Sequence, residues 1–248
     1  MKMQRLLSYV RRAVQDYDMI QDGDRIAVGI SGGKDSLTLL MALKGLQRFY
    51  PKKFEIEAIT VSLGFEGMDF SPIQKFCDEL GVHYSIVDTQ IGEIIFDARK
   101  EKNPCALCSK MRKGALNNKV EELGCNKIAL GHNRDDVIET FFMSLFYEGR
   151  IHCFSPYTFL SKKKIASIRP LIYVPEKDVI GFARKQGLPI VKNKCKADGN
   201  TKREEIKNFM KSMSKDFDYF EETVFSAIKR SELEGWGEMN EFLRTGKQ

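Results

Sequence analysis

The apolar run Ile26-Ala27-Val28-Gly29-Ile30 passes without a break into Ser31-Gly32-Gly33-Lys34-Asp35-Ser36, and a helical pattern from Leu37 to Tyr50 follows. A short run that is apolar on both sides is the signature of a strand buried inside a parallel sheet. Strand, glycine-rich loop and helix in that order commit the chain to a layered α/β fold and, at the loop, to anion binding. Glycines let backbone amides approach oxygens with no Cβ in the way. The first amides of the helix are unpaired and lie at the positive end of its dipole. Lys34 adds a charge on a flexible stem, and Ser31 and Ser36 add hydroxyls. Asp35 is the odd member, because a carboxylate repels phosphate unless it holds Mg²⁺ or a protonated group. The spacing is not that of the Walker loop, nor of the Gly-x-Gly-x-x-Gly dinucleotide loop.

The flanking sequence repeats the theme. Residues 3–18 read as an amphipathic helix with Leu6, Leu7, Val10, Val14 and Tyr17 on one face. Strands are expected at 54–63, 83–87 and 126–130, and helices at 72–80, 108–123 and 135–147. This alternation predicts an open, parallel, twisted sheet with helices on both faces. Beyond Arg150 the pattern loosens into a Lys162-Lys163-Lys164 loop, a short strand at 165–168, a helix at 176–186, a lysine-rich connector and a helical tail. The expected divisions are an N-terminal helix (1–22), a nucleotide-binding α/β domain (23–190), and a connector with Cys195 plus helical tail (191–248).

A second polar constellation, Gly131-His132-Asn133-Arg134-Asp135-Asp136 with Glu139-Thr140, follows the strand at 126–130. Ligands of open parallel sheets gather at the carboxyl ends of the strands, so this segment is expected to face the phosphate loop. Asp135 is the expected helix cap. Asp136 and Glu139 share a helical side, as a Mg²⁺ site or a base requires, and Arg134 is placed to meet a phosphate. Helix capping beside a surface histidine is the plainer alternative for Asp135 and His132.

Charge is unevenly spread. Between Arg150 and Arg203 thirteen Lys or Arg face three acids, whereas from Glu204 onward ten acids face seven bases. The first segment therefore offers a basic face suited to a polyanion, with a solvated helix surface as the bland reading. No apolar run approaches the roughly 18 residues of a membrane span, and the N-terminus lacks the apolar core of a signal peptide, so a cytoplasmic protein without a membrane partner is expected. Six cysteines in such a chain are reduced core thiols or metal ligands rather than a disulfide framework. Cys105 and Cys108 are spaced to share one metal, with Cys195 as third ligand; surrounding lysines and arginines are expected to lower their pKa values. Three thiolates without an obvious fourth ligand suit a [4Fe–4S] cluster with one open iron. Zinc completed by Cys153 or His152, a redox dithiol, and structural thiols stay open. Cys77, Cys125 and Cys153 read as core residues.

The hexapeptide 31–36 resembles the PP-loop of enzymes that cleave ATP between its α and β phosphates. Three further stretches carry a likeness over most of the length: Cys105-Ala106-Leu107-Cys108-Ser109-Lys110-Met111-Arg112-Lys113-Gly114, Lys127 through Asp136, and Ile168-Arg169-Pro170-Leu171 with Glu176-Lys177-Asp178. Together they resemble the tRNA 2-thiocytidine biosynthesis family. The resemblance implies an ATP-dependent enzyme that adenylates the C2 oxygen of an anticodon-loop cytidine, position 32, and replaces it with sulfur. It implies ATP, Mg²⁺ and a [4Fe–4S] cluster on Cys105, Cys108 and Cys195, with tRNA and a cysteine desulfurase as partners; a homodimer is compatible with it. Lys34, Asp35 and Asp136 are then the catalytic candidates, and Ser31 to Ser36 with Gly131 and His132 the nucleotide-binding set. Lys192, where the family pattern has a further Cys, and Lys196-Ala197-Asp198-Gly199-Asn200, in place of Gly-Ser-Gln-Pro-Asn, depart from it. A lysidine synthetase shares the loop and the His-x-x-Asp-Asp pattern but has no use for three cysteines. A noncatalytic RNA-binding or cluster-scaffold protein has no use for Lys34 and Asp35.

Overall fold

A computed structural model describes residues 1–98, 104–191, 195 and 202–237. Along the chain run α1 (Met3–Asp16), β1 (Asp24–Gly29), α2 (Lys34–Leu46), β2 (Phe54–Ser62), α3 (Ser71–Leu80), β3 (His83–Asp88) and α4 (Ile91–Glu93), which continues as a π-helical turn, Ile94–Ala98. Then come α5 (Pro104–Glu122), β4 (Lys127–Ala129), α6 (Arg134–Glu148), β5 (Tyr157–Leu160), β6 (Ile165–Ile168), α7 (Glu176–Gln186), α8 (Lys202–Asp216) and α9 (Phe220–Arg230).

The strands form one six-stranded sheet in the order β3-β2-β1-β4-β6-β5. β3, β2, β1, β4 and β6 are mutually parallel, as the alternating pattern expects. The exception is β5, which pairs antiparallel with β6 at the sheet edge and was not anticipated. The Lys162-Lys163-Lys164 loop is the turn between those two strands, closed by Lys164 at φ 52°. The chain winds outward from β1 through β2 to β3, then returns to place β4 on the other side of β1. The carboxyl ends of β1 and β4 thus bracket the switch point, where ligands of such sheets bind.

β1 is buried on both faces, and its side chains divide two cores. Ile26 and Val28 join the larger core with Leu6 and Val10 of α1, Leu37 and Leu40 of α2, and Val179 and Phe182 of α7. Ala27 turns the other way, with Ile59, Val120, Ile128 and Ile165, beneath α5. The tail contributes Ile206, Met210, Phe225, Ile228 and Trp236 to the larger core. At the amino ends of β1 and β4, the buried pair Lys127–Asp24 lies at 2.7 Å. It is completed by Lys127 Nζ donating to Met19 O at 2.8 Å and Asn126 Nδ2 donating to Asp24 Oδ1 at 2.8 Å. Those contacts answer the desolvation of both charges and tie the strands bracketing the site.

Candidate active site

The loop after β1 is built as an anion cradle. Gly32 takes φ 81°, a conformation that costs glycine nothing. Ser36 Oγ donates to Gly33 O at 3.0 Å, while Ser31 N donates to Ser36 Oγ at 3.2 Å, which curls the loop over the start of α2. Gly33 is the N-cap of α2 and no side chain caps that end, so its first amides stay available. Behind the loop, Val191 N donates to Gly32 O at 3.0 Å, fastening the segment that leads to Cys195.

Opposite lies the loop after β4. Asn133, not Asp135, is the N-cap of α6: its side chain accepts from the amides of Asp135 and Asp136, and Asp136 returns a bond to Asn133 N, a capping box. Asp135 reaches instead to the amide of Glu176 at the start of α7, at 2.8 Å. Arg134, expected to meet a phosphate, is buried and pairs with Glu222 at 3.0 Å, because its side chain leaves the helix on the side facing α9. Residues 131–136 do face the phosphate loop: Asn133 Nδ2 donates to Asp35 Oδ1 at 3.0 Å.

Around this contact runs a ring of charges. Lys34 Nζ sits 2.9 Å from both Asp35 and Glu176. Glu176 meets Lys207 of α8 at 3.3 Å, and Lys207 meets Glu139 at 3.6 Å. Arg203 bridges Glu139 at 2.7 Å and Asp136 at 3.4 Å, and Asn133 closes the ring to Asp35. Burial opposes the Lys34 charge, yet Asp35 and Glu176 together raise its pKa. Burial, reinforced by Glu139 and Asp35, pushes the Asp136 carboxyl up to about 7. Glu139 is also raised by burial, and two cations already hold it, so Asp35 and Asp136 are the carboxylates left facing the cavity.

That cavity, of about 550 Å³, lies between the ends of β1, β2, β4 and β6 and the underside of α5. It is large enough for a nucleotide. Ser31, Asp35, Ser36, Gly131, His132 and Asp136 line it together with the cations Arg112, Lys113 and Arg169. Lys34 does not line it. Gly131 lies against the first turn of α2 so closely that a Cβ would meet Asp35 C and Ser36 N, each at 2.9 Å. Ser31 and Arg112 also line a second cavity of about 450 Å³ on the far side of the loop, with Phe65, Phe70 and Val191.

The cysteines sort into two groups. Cys77, Cys125 and Cys153 are core residues, and burial pushes their thiols up to about 12, 11 and 12. Cys105 and Cys108 lie on the first turn of α5 and reach the surface, as does Cys195. Cys108 feels the charge of both Cys105 and Cys195, so the three share one neighbourhood. The expected depression of the thiol pKa does not hold for Cys108: burial raises it, and the hydrogen bond and charge of Arg112 offset only part. Among the described residues no three His, Cys, Asp or Glu are grouped as a single-ion site. Lys192, Lys194 and Lys196 lie outside the described residues. Ser109, Arg112 and Lys113 of the same helix line the cavity, so α5 carries thiols on its first turn and cations over the nucleotide side.

Sheet order, anion cradle at the switch point and nucleotide-sized cavity define a PP-loop protein, and the profile of the PP-loop domain matches residues 4–213. A tRNA-cytidine(32) 2-sulfurtransferase of Teredinibacter turnerae is 40% identical over 228 residues, 91% of this chain and 76% of that one. One from Cellvibrio japonicus is 36% identical over 240 residues, 96% of this chain and 80% of its own. Among solved structures, the U34-tRNA thiolase NcsA from Methanococcus maripaludis with its [4Fe-4S] cluster superposes with a TM-score of 0.73 at 26% identity, covering 89% of this chain and 76% of that chain. The chain belongs to the tRNA-cytidine(32) 2-sulfurtransferase family.

Proposed function

We propose that this chain is an ATP-dependent tRNA 2-thiolation enzyme that adenylates the C2 oxygen of cytidine 32 and exchanges it for sulfur. One observation carries the reading: α5, the helix that bears Cys105 and Cys108, lines with Ser109, Arg112 and Lys113 the same cavity as Ser31, Asp35 and Ser36 of the phosphate loop, and Cys195 is in electrostatic reach of Cys108. A cytidine carbonyl oxygen leaves poorly, and its transfer to the α phosphorus of ATP turns it into a good leaving group. The α2 amides and the hydroxyls of Ser31 and Ser36 hold the departing pyrophosphate. Lys34 joins them by exchanging its contact with Glu176 for a phosphate oxygen. Asp35 and Asp136 are hard oxygen donors on the cavity wall, the type Mg²⁺ selects, and Asp136, whose burial outweighs its one longer contact with Arg203, would be stabilised by a cation. Mg²⁺ there would neutralise charge building on the phosphates.

Three thiols without a carboxylate or histidine among them fit an iron–sulfur cluster by softness. When bound, such a cluster supplies an iron with an open position for a sulfur ligand. The protein's own part is to present three thiolates, with Arg112 beside Cys108 to stabilise the charged form. A cysteine desulfurase is the proposed sulfur source, and the cytoplasm the proposed site of action. No helix among the described residues is long and apolar enough to cross a membrane. RNA phosphates would meet the lysines of the β5–β6 turn and the cations of α5. A base in a loop can be turned out into the cavity, which suits an anticodon loop.

Incubation with tRNA, ATP, Mg²⁺, a persulfide source and a thiol reductant, followed by mass analysis of nucleosides, is expected to yield 2-thiocytidine with AMP and pyrophosphate. The reductant supplies the two electrons that bring persulfide sulfur to the sulfide level. ATP cleavage without thionucleoside would reduce the chain to a PP-loop adenylating enzyme. Anaerobic purification is expected to give a brown, iron-containing protein whose colour is lost with Cys108→Ala.

A further inference from the structure

The cavity wall also carries two side chains whose mutual hydrogen bond decides where a proton sits. A guanidinium donates hydrogen bonds and accepts none. Arg169 directs its Nε–H to His132 Nδ1 at 3.3 Å. Nδ1 must therefore present a lone pair, and the single proton of the neutral ring must lie on Nε2.

Arg169 is itself fixed. Its Nη1 donates to Ser155 O at 2.6 Å, and its guanidinium lies 4.8 Å from the centre of the Phe154 ring. The same ring packs 4.7 Å from the imidazole. The charged groups acting on His132 are both cations: Arg169, which follows β6, and Arg203 of α8. Burial first, and those two arginines second, push its pKa down to about 3, so the ring stays neutral over the working range. Nε2 meets no hydrogen-bond partner among the described residues. His132 lines the cavity with Asp35, Ser36 and Asp136.

We propose that His132 is a neutral hydrogen-bond donor that presents its Nε2–H to a substrate oxygen gaining negative charge, with Arg169 as the positioning residue that fixes this tautomer. The role rests on the adenylation reading. As the nucleoside oxygen bonds to the α phosphorus, the bond to pyrophosphate breaks and that group leaves with the electron pair. Charge is concentrated on phosphoryl oxygens, and a fixed N–H aimed at one stabilises the transition state. No proton moves to or from His132, which separates this role from that of a general base. A neutral imidazole gives up less to an oxyanion as a charge, but its direction is set in advance by the arginine behind it.

The test uses ¹⁵N-imidazole NMR of the full-length protein, which has three histidines to resolve. The signal lost in His132→Gln is expected to show an acceptor-type Nδ1 and a protonated Nε2, unchanged between about pH 8 and about pH 5. Arg169→Lys is expected to give a mixture of tautomers at His132. An imidazolium or a protonated Nδ1 at neutral pH overturns the proposal. In single turnover, Gln carries an N–H at the reach of Nε2 and Asn at that of Nδ1. His132→Asn is therefore expected to slow the step about 100-fold and His132→Gln clearly less, with the ATP concentration for half-maximal rate unchanged. Equal rates for the two variants overturn the donor role. If the wild-type chain fails to thiolate tRNA, the functional reading falls, while the nitrogen shifts still decide the tautomer.

Discussion

Replacing Gly131 with alanine adds one methyl group where the backbone of α2 leaves no room for it. The new Cβ would lie 2.9 Å from Asp35 C and from Ser36 N, and 3.1 Å from Asp35 O. Carbon contacts are comfortable at about 3.5–4.0 Å, so roughly 0.5–1 Å of separation must be found. The obstructing atoms are main chain, so no rotamer change relieves the clash; the β4 loop or the first turn of α2 must move. Overpacking of this kind costs about 1–3 kcal/mol. In a protein of this size that corresponds to a fall in Tm of about 2–12 °C. The same shift carries the Asp35 and Ser36 amides away from the phosphates. A hydrogen bond to a charged group contributes about 1.5–3 kcal/mol, so losing one weakens ATP binding about 10- to 100-fold. Thermal melts and titration calorimetry with a non-hydrolysable ATP analogue measure both. Gly114 of α5 is the control: a Cβ there meets nothing within 4 Å, and alanine in a helix interior is expected to add about 0.5–1 kcal/mol of stability. Unchanged Tm and affinity in Gly131→Ala would refute the close approach of the two loops.

Three further outcomes follow from the same geometry. Asn133→Ala removes the capping box and the bond to Asp35, and is expected to cost about 0.5–2 kcal/mol in urea unfolding, with weaker ATP binding. Lys127→Met leaves Asp24 buried without its cation and is expected to cost about 3–5 kcal/mol in guanidinium unfolding, whereas a loss under about 1 kcal/mol would contradict the buried pair. His132 has a folded pKa near 3 against about 6.5 unfolded, so protons favour the unfolded chain; its contribution is complete above about pH 6.5 and declines as pH falls toward 3. About 2 kcal/mol should be gone by pH 5, and the stability difference between wild type and His132→Gln across that interval reads it directly.

Local chemistry explains which parts of this arrangement could be read from residues alone. The β1 run and the hexapeptide after it state their geometry in composition: two-sided apolarity buries the strand, and paired glycines permit the Gly32 conformation. The strand at 165–168 and the helix at 176–186 also fall where periodicity places them. β5 escaped because an antiparallel edge strand of four residues, with Phe159 outward, has no two-sided apolar signal. Asp135 and Asn133 are both good caps by type, and only the direction of the chain entering α6 chooses Asn133. Arg203 and Lys207 could not be foreseen as partners of Asp136 and Glu139, since sixty or more residues separate them. Cys108 shows the converse error: neighbouring cations in sequence suggested a lowered pKa, but the fold buries the sulfur more than it surrounds it with charge.

The hydrogen bond from Val191 to Gly32 bears on how this protein can be dissected. Val191 props the back of the phosphate cradle, its side chain packed where a Cβ on Gly32 would lie 3.2 Å away. A chain truncated after residue 190 would therefore lose the Cys195 thiol and loosen the phosphate cradle together. Such a fragment also lacks the core residues of α8 and α9 and the cations Arg203 and Lys207, so lost ATP turnover in it would report on packing and charge as well as on Val191, and a point change at Cys195 is what isolates the thiol.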